Sequence, residues 1–346
     1  MAMRSSSHGV LKAFLALTLV AGCSEAPGPG QAAASVPVPD AGAKQPPAIV
    51  PDTPPPTGPQ LLSASGLYDD VATKKLARGV REFVPRFALF SDGEEKKRFL
   101  ALPPGATIDT TDMDVWKFPA GTKVWKEFWV EGRLIETRLL EKLPDDEWWM
   151  MAYVWRADGS DADASLLGVA KAAGTNHDVP SQLDCRKCHA GGHSAVLGVS
   201  AIQLSNGGAG LLSKFVADGL LSAPPSGEFE VPGNDVERAA FGYLHANCGH
   251  CHNEHTGLHN QSPLRLALKT TDKLASDTGA MKSVGVVARH IVPPDISQLI
   301  VPGAPDESQL FVRMAFRESW AMPPLGTKVG ALEGTPAVYR WIKALP

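Results

Sequence analysis

The stretch "NCGHCHNEH", residues 247–255, sets two cysteines two residues apart with a histidine directly after the second. The pattern recurs in "DCRKCHAGGH", residues 184–193. The chain has five cysteines, and these two clusters take four of them. Side chains three positions apart are neighbours on a helix, so each pair of thiols fits on one turn. Cys-x-x-Cys-His is the attachment signature of c-type haem. Its thiols add across two vinyl groups of the porphyrin, and the adjacent imidazole becomes the proximal iron ligand. Cys185, Cys188 and His189 are therefore candidates to hold one covalent haem, and Cys248, Cys251 and His252 a second.

Three other uses of paired cysteines compete. Disulfides suit an exported chain, but they leave the histidine after each pair unexplained. A zinc ribbon brings two Cys-x-x-Cys pairs together, yet Cys188 and Cys248 lie well beyond the usual ribbon spacing. A thioredoxin-like motif needs one pair at a strand–helix junction, not two pairs with histidines.

Downstream lies "MAFRESWAMPPLG", residues 314–326. Met322 precedes two prolines, which remove backbone donors and fix φ, so the stretch is not helical. A thioether on a stiff loop suits a distal ligand, and Met322 is the candidate for the second haem. Met314 falls in a predicted helix and is expected to pack in the core. No methionine lies between His189 and the second cluster. The distal position of the first haem is left to His193, His245, His255 or His259, to a ligand from the front domain, or to an open iron.

The flanks predict helices. "NDVERAAFGYLHANC" has Asn234 as cap and Val236, Ala240, Tyr243 and Leu244 on one face. "TPAVYRWIKALP" has Thr335 as cap, Pro336 in the first turn, and Val338, Trp341 and Ile342 on one face. Ala240 and Leu244 are expected to cross this last helix opposite Trp341. "GLLSKFVADGLL" promises a modest helix between the motifs.

Residues 61–180 carry a different signal. "DVWKFP", "KVWKEFWV", "RLIETRLLEKL" and "EWWMMAYVWRAD" are strand-like runs bounded by turn residues. Ile135, Thr137 and Leu139 alternate with Glu136 and Arg138, as in a half-buried strand. Trp125 and Trp129 oppose Val124 and Phe128, which predicts a sheet covered on both faces. Trp116, Trp125, Trp129, Trp148, Trp149 and Trp155 fall in this block. They are expected to fill the sheet's core rather than to form an exposed sugar-binding row.

At the N-terminus, Arg4 and Lys12 lead into "AFLALTLVAG", residues 13–22, with the charge-then-apolar order of an export signal. The run ends in "VAGC", which resembles a bacterial lipobox and makes Cys23 the candidate lipidation site. Ser24 after it points to the outer membrane by the enteric sorting rule. The Pro, Ala and Gly-rich stretch that follows cannot bury a core and reads as a linker. A net charge of −4 without a basic block disfavours nucleic-acid binding.

The expected organisation is a lipoprotein signal peptide over 1–22 and a lipidated Cys23 with linker over 23–60. A β-rich domain over 61–180 follows, then a first haem segment over 181–232 and a second cytochrome c-type domain over 233–346. The fold class expected is α+β, an N-terminal antiparallel β-rich domain followed by mostly α-helical cytochrome c-type haem domains.

In the order "LLSASGLYDD", "FALFSDGEEKKRFLALPPG", "FPAGT", "YVWRADGSDA", "CRKCH", "LGVSAIQLS", "NCGHCHN", "VPGAPDESQLFVRM" and "MPPLG", residues 61–346 resemble exported bacterial dihaem c-type cytochromes with an N-terminal β-rich domain. The resemblance implies two covalent haems, electron transfer, and carry-over of both attachment motifs and Met322. It names no redox partner protein. Electron transfer from the cell envelope, periplasmic or surface-facing on a lipid anchor, is the function expected. A dihaem peroxidase-like enzyme with one open haem is the alternative from a different class, as is a Trp-rich polysaccharide- or partner-binding module carrying haem.

Overall fold

Alternating β-branched and aromatic residues between Lys123 and Trp155 build three long strands: β5 (Lys123–Val130), β6 (Arg133–Lys142) and β7 (Trp148–Trp155). The computed structural model describes residues 58–189, 194–205, 210–291, 295–330 and 334–346, the side chain of His259 excepted. In it these strands form the centre of a six-stranded antiparallel sheet. β3 (Arg81–Glu82) and β4 (Glu95–Ala101) flank them on one side and β8 (Ala162–Ser165) on the other, in the order β3-β4-β5-β6-β7-β8. A small hairpin of β1 (Tyr68–Asp70) and β2 (Lys75–Leu76) stands apart from the sheet. The β5–β6 turn places Glu131 and Gly132 at φ 50° and 73°, the left-handed pair that matches strand twist in a two-residue hairpin.

The register decides what each face meets. Leu100, Val124, Leu140 and Met150 oppose one another in turn and share a core with Cys185, Leu204, Leu212 and Phe215. Phe99, Trp125, Leu139 and Met151 point the other way and pack with Leu62, Leu67 and Trp149. The sheet is thus covered on both faces, as the apolar run in β5 suggested. Among the six tryptophans of this block, Trp116, Trp125, Trp149 and Trp155 are buried and Trp129 and Trp148 partly so. No exposed tryptophan row exists among them.

Two strand expectations need correction. β6 is not half-buried: Glu136 is fully buried alongside Ile135, Thr137 and Leu139, because its carboxylate finds cationic partners inside. "DVWKFP" forms no strand, only an isolated bridge between Asp109 and Lys117.

The expectation of mostly α-helical haem domains is also overturned. The described part after residue 181 holds seven short α-helices: α1 (Gln182–His189), α2 (Ala201–Leu204), α3 (Leu211–Ala217), α4 (Asp235–Asn247), α5 (Gly279–Lys282), α6 (Gln309–Ala315) and α7 (Thr335–Ala344). Only α4 and α7, with 13 and 10 residues, exceed two and a half turns. Between α4 and α6 the chain lacks a sustained helical period, and turns and side-chain caps satisfy its backbone instead. Asp272, Asp277 and Ser308, for example, each accept main-chain N–H groups there.

α4 begins as expected, with Asn234 and Glu237 forming a capping box. Ala240 and Leu244 are fully buried, whereas Val236 is exposed on the first turn. α7 starts at Thr335 itself, so its cap lies one residue earlier than expected. Gly334 is the N-cap, and a Cβ at that position would sit 1.9 Å from the Tyr243 ring. Phe241 meets Trp341 edge-on at 5.3 Å, and Ala240, Leu244, Val338 and Ile342 share their core. No helix among the described residues is long and apolar enough to cross a membrane. The signal segment, Cys23 and the linker up to residue 57 lie outside the described residues, as does His193.

Candidate cofactor-binding site

The first motif rides on α1. Ser181 Oγ donates to Asp184 at 2.7 Å and accepts the Asp184 N–H, which starts the helix. Gln182 Nε2 donates to Met150 O at 2.8 Å and ties α1 to β7. Cys185 is buried against the sheet face, with Cys188 one turn on. The His189 ring sits with Nδ1 2.6 Å from Ala195 O. A carbonyl only accepts, so Nδ1 carries the proton and Nε2 keeps its lone pair. Burial pushes the His189 pKa down to about 4, so the ring is neutral and able to ligate a metal.

The second motif turns off the end of α4, with Cys248 as its C-cap. The His252 N–H returns to Cys248 O at 2.9 Å. Asn253 clamps the turn by donating to Gly249 O and His250 O at 2.8 and 3.1 Å. Gly249 is required here, since a Cβ would lie 2.9 Å from Ala267 Cα. The His252 Nδ1 atom is buried with no hydrogen-bond partner.

All four motif cysteines are free thiols, none in a disulfide. Burial pushes Cys185 and Cys251 up to about 11 and Cys248 to about 12, and raises Cys188. Without a bound metal or cofactor they are protonated thiols at neutral pH. Among the described residues no three His, Cys, Asp or Glu side chains converge as a metal site.

A cavity of about 530 Å³ gathers much of this set. Its wall includes Cys185, Cys188, His189, Cys248 and Met322. Cys251 and His252 do not line it. Its volume lies within the ~300–1,000 Å³ common for cofactor sites. Met322 is half-buried on a loop that Arg317 stitches together, donating to Met322 O at 2.7 Å and to Thr327 Oγ1 at 2.7 Å. Met314 belongs to the core, as expected, and also reaches this cavity.

A smaller cavity of about 240 Å³ is lined by His245, His250 and His255. His245 Nδ1 accepts the Leu268 N–H at 3.0 Å, which places the ring proton on Nε2 and removes the lone pair a metal would need. His250, between Cys248 and Cys251, borders both cavities, and its Nδ1 is buried without a partner. Nothing in the pattern marked it, because the positions inside Cys-x-x-Cys are free.

The sheet contributes a second group that sequence reasoning missed. His177 lies between Glu94 and Glu136, with Nδ1 and Nε2 at 2.5 and 2.6 Å from their carboxylates. Burial alone would lower its pKa, but the two hydrogen-bonded carboxylates outweigh that and push it up to about 9. Glu136 also takes Arg138 through Nε and Nη2 at 2.6 and 2.8 Å. Glu94, His177, Arg138 and Lys126 all line the larger cavity.

No family model matches the chain, and neither a curated protein nor a solved structure does.

Proposed function

We propose that the chain is a dihaem c-type cytochrome that transfers electrons in the bacterial cell envelope, held there by a lipid on Cys23. The observation that carries this reading is the first motif on the wall of the 530 Å³ cavity. Two protonated thiols one turn apart adjoin a neutral histidine whose Nε2 is left unprotonated by the Ala195 carbonyl. Two cysteines one turn apart suit attachment at two vinyl groups, and a histidine oriented by a carbonyl suits axial ligation. Cys185 and Cys188 would attach one haem with His189 as its proximal ligand. Cys248, Cys251 and His252 would do the same for the other; Met322, expected as its distal ligand, lines the cavity with His189 and Cys248 rather than with His252. When bound, the haem iron supplies one-electron oxidation and reduction. The polypeptide holds, orients and shields it, and sets its potential through ligands and nearby charge.

The attachment claim is tested by haem staining of denatured protein. Cys185→Ala with Cys188→Ala should leave one haem per chain, and Cys248→Ala with Cys251→Ala should leave the other. A chain that keeps both haems in either double variant contradicts the assignment. For the anchor, a Cys23→Ser variant should leave the membrane fraction or persist as precursor, and unchanged membrane association would refute it.

A further inference from the structure

Strands β4, β5 and β6 bring three cations into one row: Arg98 faces Lys126, and Lys126 faces Arg138. Directly opposed residues on antiparallel neighbours share a face of the sheet, and like charges so placed repel. Such a row is costly unless something negative opposes it. Arg138 has Glu136, which is shared with His177 and through it with Glu94. The other charges on the cavity wall are also matched. Asp178 pairs with Lys328 at 2.7 Å and Asp184 with Lys187 at 2.6 Å, while Asp92 accepts the main-chain N–H of Lys328 at 2.8 Å.

Arg98 and Lys126 are the exceptions. Among the described residues no carboxylate lies within ion-pair distance of either. Arg98 is only 6% exposed, and its Nη2 is buried with no hydrogen-bond partner. The Lys126 ammonium lies 4.8 Å from the Phe128 ring, with no acceptor on it. Lys126 is disfavoured as a cation first by burial and then by Arg98, Arg138 and Lys96. Lys126 and Arg138 face the same cavity as Cys185, Cys188 and His189. Arg98 does not line this cavity and only crowds Lys126 from the neighbouring strand, but an ammonium on the cavity wall with no acceptor is itself a site short of an anion.

We propose that Lys126 and Arg138 form the anion subsite of this cavity, with Arg98 adding positive charge from beside Lys126 outside the lining, and that they receive the carboxylates of the haem attached at Cys185 and Cys188. This rests on the haem reading above. A haem bears its two carboxylates on the edge away from the vinyl groups, so α1 would hold one edge and the sheet the other. The β-rich segment is then half of the cofactor site rather than a separate module. A cation beside the carboxylates stabilises the ferrous form, because it offsets negative charge near the iron.

The test is a redox titration of the full chain carrying both haems, with haem content checked by mass. Lys126→Met should keep two haems and lower one midpoint potential, moving that ferrous–ferric equilibrium about tenfold, or ~59 mV for one electron. Lys126→Arg should restore the wild-type value, which a purely structural role would not require. Arg98→Met should move the same potential in the same direction and gives an independent reading if Lys126→Met fails to fold. Two haems with both potentials unmoved in Lys126→Met and Arg98→Met overturn the subsite while leaving the haem reading intact. A protein without haem overturns both. If inorganic phosphate shifts the wild-type potential and Lys126→Met abolishes the response, the row holds a free anion and its assignment to the haem carboxylates is wrong.

Discussion

Met322 is held by the backbone around it. Its N–H donates to Arg313 O at 2.8 Å and its carbonyl accepts from Arg317, so its thioether is presented to the cavity from a fixed loop. Thioether sulfur favours ferrous iron, and His/Met ligation raises a haem potential. Met322→Ala should therefore keep both haems attached, lower one potential and abolish the weak ferric sulfur–iron band. Met314→Leu, in a core position, should leave that band in place. Combining Met322→Ala with each cysteine double variant assigns the ligand to its iron. An unaltered spectrum in Met322→Ala would remove Met322 from the site. At this scale the sequence pattern picked out Cys185, Cys188, His189, Cys248 and Met322, which share one cavity wall, and also Cys251 and His252, which do not line it. It did not pick out Lys126, Glu136, His177 or His250. A polar residue reads alike whether it faces solvent or a cavity wall, and only the fold distinguishes the two.

Strand β6 shows the same limit over ten residues. Its alternation located the strand, but Glu136 and Arg138 were read as its wet side, whereas Glu136 is fully buried and Arg138 lines the cavity. The error has a physical source: a buried carboxylate is tolerated when cations answer it, and here His177 arrives from a distant segment to do so. That contact latches the segment after β8 onto the sheet, and it titrates. The folded His177 pKa of about 9 lies above the ordinary 6.5. The latch's contribution is therefore complete below about pH 6.5 and is lost as pH rises through about 9. Denaturant unfolding at intervals across this window should show wild type losing on the order of 3 kcal/mol. His177→Gln should be less stable at pH 6 and nearly flat over the same range. Equal pH slopes for the two proteins would show that the histidine is not protonated in the fold. The longer helices were read more securely. The 3.6-residue period of α4 and α7 predicted buried Ala240, Leu244 and Trp341, and all three lie in one core. Short α2 and α5 carry too few turns for a period to register.

Across the whole molecule, the sequence separated a β-rich front from a cysteine-bearing rear, yet it overstated how helical the rear would be. Loops there are long because local caps and turns satisfy their backbone, a device that leaves no periodic trace. The two parts also meet more closely than their compositions suggest. Cys185 of α1 shares a core with Leu100, Val124 and Leu140 of the sheet, and the cavity wall draws on both. The central claim is that this shared frame carries two covalent haems. Its most direct test is the intact mass of the chain matured in a host that attaches c-type haem. The account predicts the polypeptide mass plus two haem groups that survive denaturation. A mass showing the bare chain, or the chain with zinc and no haem, would contradict it.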